Sequence, residues 1–345
     1  MHFEGILLGC GNPLLDIQTH IDNQEFFKKW NLKENDSIVA DESLIPMFDE
    51  LMNEFDVTYI PGGATLNSLR VCQWLLNTPK LTTFFGAIGN DKYGKILAEK
   101  CRAAGVNVQF QVNDDVKTGT CAALIYKEHR SLCADLAAAN TFTIDHIIKP
   151  ENKKLIEKAK FFYISAFFLP VCPQAVSEIA KHALAHNKTF SMNLAAPYIS
   201  MFSLDLLLEM FLYIDILFGN AEEAQAFAAA NKFKEKDLKD IVRKIAIMPK
   251  LNNNRHRIVV ITQGGDPIIV VEGNNLIEYP VTKLTIDEIR DTNGAGDAFV
   301  GGFLAEYIQN KSIEKAVKCG QYAALAIIKQ DGCSLPPICD YSFSN

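Results

Sequence analysis

The sequence predicts an α/β fold: a doubly wound, mostly parallel sheet flanked by helices, with a small β-sheet lid. Three observations predict it. Apolar runs of strand length alternate with amphipathic runs of helix length along most of the chain. Several strand runs lack polar alternation, as expected when helices cover both faces of a parallel sheet. Two strand-bearing segments, 17–60 and 118–136, break that rhythm. Far apart in sequence, they can pair into one smaller sheet over the mouth of the larger.

Residues 6–8 form the first strand. Residues 17–60 open on alternating Ile17, Thr19 and Ile21, then run polar and loop-rich. A helix is predicted over 64–76, a strand over 82–85 and a helix over 92–104. Segment 118–136 carries the strand 120–126. Strands 161–164 and 189–192 flank a helix over 173–186. Strand 214–218 leads into helices 222–230 and 237–246. Strand 258–262 follows, and helices 298–309 and 313–329 come last. The predicted large domain comprises 1–16, 62–117 and 137–345; the lid comprises 17–61 and 118–136. Residues 250–257 read as a surface loop, with Arg255 and Arg257 solvated.

A chain of 345 residues has room for two average domains, or for one large α/β domain with an insertion. The net charge of −7 argues against nucleic acid or an anionic membrane as partner. The 9 cysteines include no Cys-x-x-Cys pair, which fits free thiols in a reducing compartment and not a disulfide framework or a zinc site. The apolar run 5–9 is too short for a signal peptide or a membrane span. A cytoplasmic protein is expected, with a nuclear pool left open.

Asp291-Thr292-Asn293-Gly294-Ala295-Gly296-Asp297-Ala298-Phe299 is the most informative stretch. Glycines at a helix entrance leave backbone N–H groups pointing outward, and the helix dipole adds partial positive charge there. Such a turn holds a phosphate or a developing oxyanion. Asp297 would repel a phosphate, so it makes more sense as a base meeting a substrate hydroxyl at the edge of the anion hole. The plain alternative is an Asp capping the helix behind a glycine turn.

Other motifs carry paired readings. Gly89-x4-Gly94-Lys95 nearly matches a P-loop, but Ile96 replaces the hydroxyl that would bind Mg²⁺, so a turn and helix cap is preferred. Gly62-Gly63 permits close backbone approach to a ligand beside Asn67, or is a simple strand–helix turn. Asn12-Pro13-Leu14-Leu15-Asp16 places a carboxylate just past a strand end, suited to vicinal hydroxyls or to a local turn. Asn220 and Glu223, three apart, could hold Mg²⁺ through its waters, or cap a helix. Arg130 is a fork for spreading negative charge or a surface cation. Leu132, Leu136, Phe167, Phe168 and Tyr198 are core by their type, or walls for an aromatic ligand.

Asp-Thr-x-Gly-Ala-Gly-Asp-x-Phe resembles the signature of the ribokinase (pfkB) family of small-molecule kinases. The ordered motifs from Gly11 to Gly332, notably Asn12 to Asp16 and Asn193-Leu194-Ala195-Ala196-Pro197, resemble its adenosine kinases. The resemblance implies a ribokinase-like fold and ATP-dependent phosphoryl transfer to adenosine, with Mg²⁺. Asp297 is then the base, with Gly294, Ala295 and Gly296 the anion hole and Arg130 a clamp on the transferred phosphate. It implies adenosine contacts from Asn12, Leu14, Asp16, Gly62, Gly63, Asn67, Leu132, Leu136, Phe168, Tyr198 and Asn293. Nucleotide contacts fall to Thr262, Gly264, Asn193, Asn220, Asn293, Gly294 and Gly296, and water-mediated Mg²⁺ contacts to Asn220 and Glu223. A monomer is implied. Leu66, Ser37 and Tyr198 depart from residues common in adenosine kinases. A kinase for another nucleoside or sugar, or a nucleoside-binding regulator without turnover, is the alternative.

Overall fold

The computed structural model describes residues 4–343, apart from 23, 35, 36, 127 and 128. The strands are β1 (Leu7–Cys10), β2 (Leu14–His20), β3 (Ser37–Val39), β4 (Thr58–Gly62), β5 (Thr82–Gly89), β6 (Asn107–Asn113), β7 (Thr120–Tyr126), β8 (His129–Asp135), β9 (Phe161–Ser165), β10 (Thr189–Asn193), β11 (Ile216–Asn220), β12 (Ile258–Gln263), β13 (Asp266–Glu272) and β14 (Asn275–Tyr279). They build a 9-stranded sheet, ordered β14-β13-β12-β11-β10-β9-β1-β5-β6, and a 5-stranded sheet, ordered β3-β8-β7-β2-β4. In the large sheet the strands from β6 to β12 run parallel, and β13 and β14 add an antiparallel edge.

The parallel strands are apolar on both faces because both faces are covered. In β9, Phe162 and Ile164 enter one core while Phe161 and Tyr163 enter the other; β12 divides Val259 and Ile261 from Ile258 and Val260 in the same way. After β1 the chain builds outward through β5 and β6, then returns to β1's other edge with β9. The crevice at that reversal, beyond the carboxyl ends of the strands, is where open α/β sheets bind ligands. Residues 11–13 leave β1 there and lead directly into the second sheet.

In the smaller sheet, β2 pairs antiparallel with β4 from Leu14↔Gly62 and parallel with β7. One of its faces carries Ile17, Ala122, Leu124 and Cys133 against Phe48 and Leu51 of the Ile45–Glu54 helix. The other holds Leu14, Cys121, Leu132, Ala134 and Leu136 in a small apolar cluster. Asp16 shares that face with Leu14, because side chains alternate along a strand.

Several expectations shift. The helix expected from 298 begins at Ala295, behind Gly294 in the left-handed region (φ 76°). The Ala295 N–H reaches back to Thr292 O at 3.3 Å, which seeds the first turn early. Asp297 therefore lies inside that turn and does not cap it. The strands β6, β13 and β14 and the Ile45–Glu54, Pro150–Lys158 and Leu204–Phe211 helices were not anticipated. β14 is largely exposed and shows no apolar alternation, so no periodicity betrays it.

Residues 250–257 are not simply a solvated loop. Arg257 is buried and donates to Ile214 O, Ile245 O, Met248 O, Phe211 O and Pro249 O. It thereby satisfies carbonyls left open where the Leu204–Phe211 and Leu238–Ala246 helices end. Arg255 and Lys250 converge on buried Asp215 at 2.9 and 2.6 Å. Arg257→Ala would strip those carbonyls of a buried donor, leaving Ile245 O to the Met248 N–H at 3.3 Å, so we expect a loss of about 1–3 kcal/mol in stability. Urea unfolding measures it; a midpoint within error of the parent would show that water replaces the guanidinium at no cost.

Candidate active site

The first turn of the Ala295–Asn310 helix frames the site. Its first intrahelical bond runs from Ala298 N–H to Gly294 O at 2.7 Å. The N–H groups of Gly296 and Asp297 thus have no carbonyl inside the helix, and they carry the positive end of its dipole. Asp291 fixes the entry to the turn: Oδ1 accepts from Asn293 N–H at 2.9 Å and Oδ2 from Gly332 N–H at 2.8 Å.

Asn67 comes from the first turn of the Ala64–Leu76 helix and donates through Nδ2 to Asp297 Oδ2 at 3.1 Å. That helix is reached through Gly62-Gly63. Gly63 sits at φ 100°, where a Cβ would stand 2.1 Å from Asn12 O, so only glycine fits. Burial pushes the Asp297 carboxyl up to about 7; the Asn67 hydrogen bond lowers it, while the charges of Glu223 and Asp16 raise it further. Tyr163 lies beneath, its hydroxyl raised well above the usual value by burial and then by Asp297.

Beyond the turn opens a cavity of about 580 Å³, within the range of small-ligand sites. Thr262 and Gly264 line it together with Ala295, Gly296, Val281, Leu284, Gln321 and Ile328. Sequence reasoning missed the last four. Val281 and Leu284 stand in an irregular segment without periodicity, and Gln321 and Ile328 belong to the Ile313–Ile328 helix, whose apolar stripe reads as core. Asn193, at the end of β10, accepts through Oδ1 from Ala166 N–H at 3.0 Å.

The crevice at the strand ends also meets the second sheet, whose Asp16 is near enough for its charge to raise Asp297. Leu14, Leu132 and Leu136 cluster on the face of the second sheet that bears Asp16. Asn12 donates to Phe167 O at 3.2 Å, while its Oδ1 is buried with no partner among the described residues. Phe167 is half-buried and packs 6.0 Å from the ring of Tyr198, which is 45% exposed. Phe168, expected as a ligand wall, is instead fully buried and edge-on to Phe142 in the core, so Phe167 is the ring facing outward. Leu66 is fully buried too, so its departure from the common residue does not reach the cleft. The side chains of Arg130 and Ser37 lie outside the described residues.

Asn220 and Glu223 meet as a reciprocal cap. Glu223 N–H donates to Asn220 Oδ1 at 2.8 Å, and Glu223 Oε1 and Oε2 accept from Asn220 Nδ2 at 2.8 Å and its N–H at 3.1 Å. The capping alternative therefore holds. Each carboxylate oxygen still keeps a free lone pair, which suits a water-bridged Mg²⁺. Burial raises Glu223 to about 6, a cost that a nearby cation offsets. The near-P-loop resolves as a turn and cap: Gly89 ends β5, and Asp91 accepts from Gly94 N–H at 2.7 Å and Thr118 N–H at 2.7 Å.

The raised Asp297 has a consequence for stability. Its folded value of about 7 exceeds the ordinary 3.8, so stability is fullest below pH 4 and is lost as pH rises through 7. Asp297→Asn removes the charged form. We expect its melting temperature to exceed the parent's by a few degrees above pH 8 and the gain to shrink toward pH 4. A thermal-melt series across pH checks this; a gain independent of pH would contradict the burial account.

Known proteins share this fold. The model of the pfkB family carbohydrate kinases matches residues 28–339. Adenosine kinase 2 of Arabidopsis thaliana is 45% identical over 341 residues, covering 99% of each chain. The crystal structure of Anopheles gambiae adenosine kinase in complex with P1,P4-di(adenosine-5) tetraphosphate superposes with a TM-score of 0.91 at 44% identity, over 97% of this chain and 100% of that one. Adenosine kinase from Schistosoma mansoni in complex with 2-fluoroadenosine gives a TM-score of 0.91 at 35% identity, over 97% and 98%. The chain belongs to the pfkB family of carbohydrate kinases.

Proposed function

We propose that this protein transfers the γ-phosphoryl group of ATP to the 5′-hydroxyl of adenosine, giving AMP and ADP. The observation that carries the reading is the Asp297 carboxylate, held by Asn67 beside the N–H groups of a helix start. Its neighbours Ala295 and Gly296 line a cavity of about 580 Å³, and Asp16 of the second sheet is near enough for its charge to raise the carboxyl. The relatives that match nearly end to end are named adenosine kinases, and some of their structures carry adenosine-like ligands.

Adenosine enters the cleft with its ribose on Asp16, Asn67 and the Gly62-Gly63 turn, and its base against Leu14, Leu132, Leu136, Phe167 and Tyr198. ATP fills the cavity by Thr262 and Gly264, its phosphates on Asn293, Gly294, Ala295 and Gly296. Asp297 takes the 5′-OH proton as the oxygen bonds to the γ-phosphorus and the bond to the β-γ bridging oxygen breaks. The N–H groups of the turn, with Arg130, stabilise charge spreading on the phosphoryl oxygens. Asn220 and Glu223 would hold Mg²⁺ through water, and that ion would supply charge neutralisation on the phosphates. The second sheet, from 17–61 and 118–136, closes over the cleft and excludes water. Every group named comes from one chain, so a monomer suffices. Cysteines with no disulfide among the described residues fit a reducing cytoplasm.

Asp297→Asn should lower kcat roughly 10²–10⁴-fold with little change in adenosine KM. Near-parental turnover would remove the base from the mechanism. In the parent protein, kcat/KM for adenosine should fall as pH drops through about 7, because a protonated Asp297 accepts no proton. An acid limb below pH 5 would point to another group. Asp16→Ala should raise adenosine KM roughly 10–100-fold, as expected for lost hydrogen bonds to a charged group. An unchanged KM would place the ribose elsewhere.

A further inference from the structure

Arg70 is a charged residue in the middle of the apolar Ala64–Leu76 helix, only 5% exposed. A guanidinium in that position must find acceptors. Its Nη1 donates to Pro61 O at 2.8 Å and Cys333 O at 3.2 Å, and reaches Asn67 Oδ1 at 3.4 Å. The three acceptors belong to three parts of the site. Pro61 immediately precedes Gly62-Gly63, where the chain returns from the second sheet. Cys333 walls the anion turn: its Cβ lies 3.0 Å from where a Cβ on Gly294 would stand. Asn67 holds Asp297.

A buried structural cation needs only carbonyls. The third contact does something more specific. An amide side chain that rotates by half a turn exchanges its oxygen for its NH₂. With Arg70 facing it, only Oδ1 fits on that side, so Nδ2 is directed at Asp297. We propose that Arg70, itself anchored on Pro61 O and Cys333 O, is a positioning residue for phosphoryl transfer: through Asn67 it sets the Asp297 carboxylate against the anion turn. The inference rests on the proposed kinase reaction and adds a residue that touches neither substrate. Positioning errors near 1 Å cost about 10²-fold in rate, so the effect should be large for a residue outside the cleft.

The test is a double-mutant cycle read in kcat and adenosine KM. Arg70→Met should lower kcat roughly 10–100-fold, with KM within about 3-fold. Arg70→Lys keeps the charge one bond shorter and should recover most of that loss. In an Asn67→Ala background, Arg70→Met should lower kcat by less than about 3-fold, because the relay is already cut. Independent, multiplying effects would overturn the proposal, as would a folded Arg70→Met with parental kcat. If Arg70→Met does not fold, Arg70→Gln, which keeps a polar head but no charge, closes the same cycle with and without Asn67→Ala. An active parent with a flat cycle sinks only the role of Arg70. A parent that phosphorylates no adenosine sinks the function reading and this role with it.

Discussion

The hydrogen bond from Asn67 to Asp297 is the constraint around which the site is assembled. It joins the first turns of two helices 230 residues apart in sequence. Both helices must start in register at the mouth of the sheet for it to form. The Ala295–Asn310 helix packs so closely on the Ala64–Leu76 helix that a Cβ at Gly301 would stand 2.5 Å from Ser68 O. Phe299, Phe303 and Leu304 then fill the space between that helix and the sheet, with Leu69 and Cys72 in the same core. The bond is thus the visible end of a packed interface, and its geometry is fixed by backbone proximity more than by its own modest strength.

Electrostatics at the site are deliberately uncomfortable. Burial, and then the charges of Glu223 and Asp16, raise the cost of ionising Asp297. The positive end of a helix and the Asn67 amide relieve only part of it. A cation between the carboxylates, or a hydroxyl proton to take up, relieves more. Stability is given up there, as the proposed role of Asp297 as a base poised near neutral pH requires. Elsewhere the opposite choice holds: Asp215 meets Lys250 and Arg255, and Arg257 is saturated by carbonyls, all at the end of the strands remote from the cleft.

The strands that were legible in the sequence are those with two covered faces, whose apolar runs admit no other reading. The glycine turn and Asp297 were legible because small residues at a helix start have few other uses. What escaped was set by tertiary context. The helix start moved to Ala295 because Thr292 O captures an N–H that local propensity does not reveal. Arg257 reads as a surface charge until two helix ends are brought over it. Phe167 and Phe168 are identical in type, and only the turn between β9 and the following helix decides which faces out. The cavity wall at Val281 and Leu284 follows no period, and Arg70 gave one signal only, a charge inside an apolar helix.

One measurement bears most directly on the account: initial rates of phosphate transfer from labelled ATP with Mg²⁺ to adenosine, inosine, guanosine, cytidine, ribose and fructose in parallel. The proposed seating of the ribose on Asp16 and of the base against Leu14, Leu132 and Leu136 predicts selective formation of AMP, with sugars lacking a base transferred far more slowly. Equal or faster transfer to ribose or fructose would contradict it, since the wall formed by Leu14, Leu132 and Leu136 would then contribute nothing to recognition.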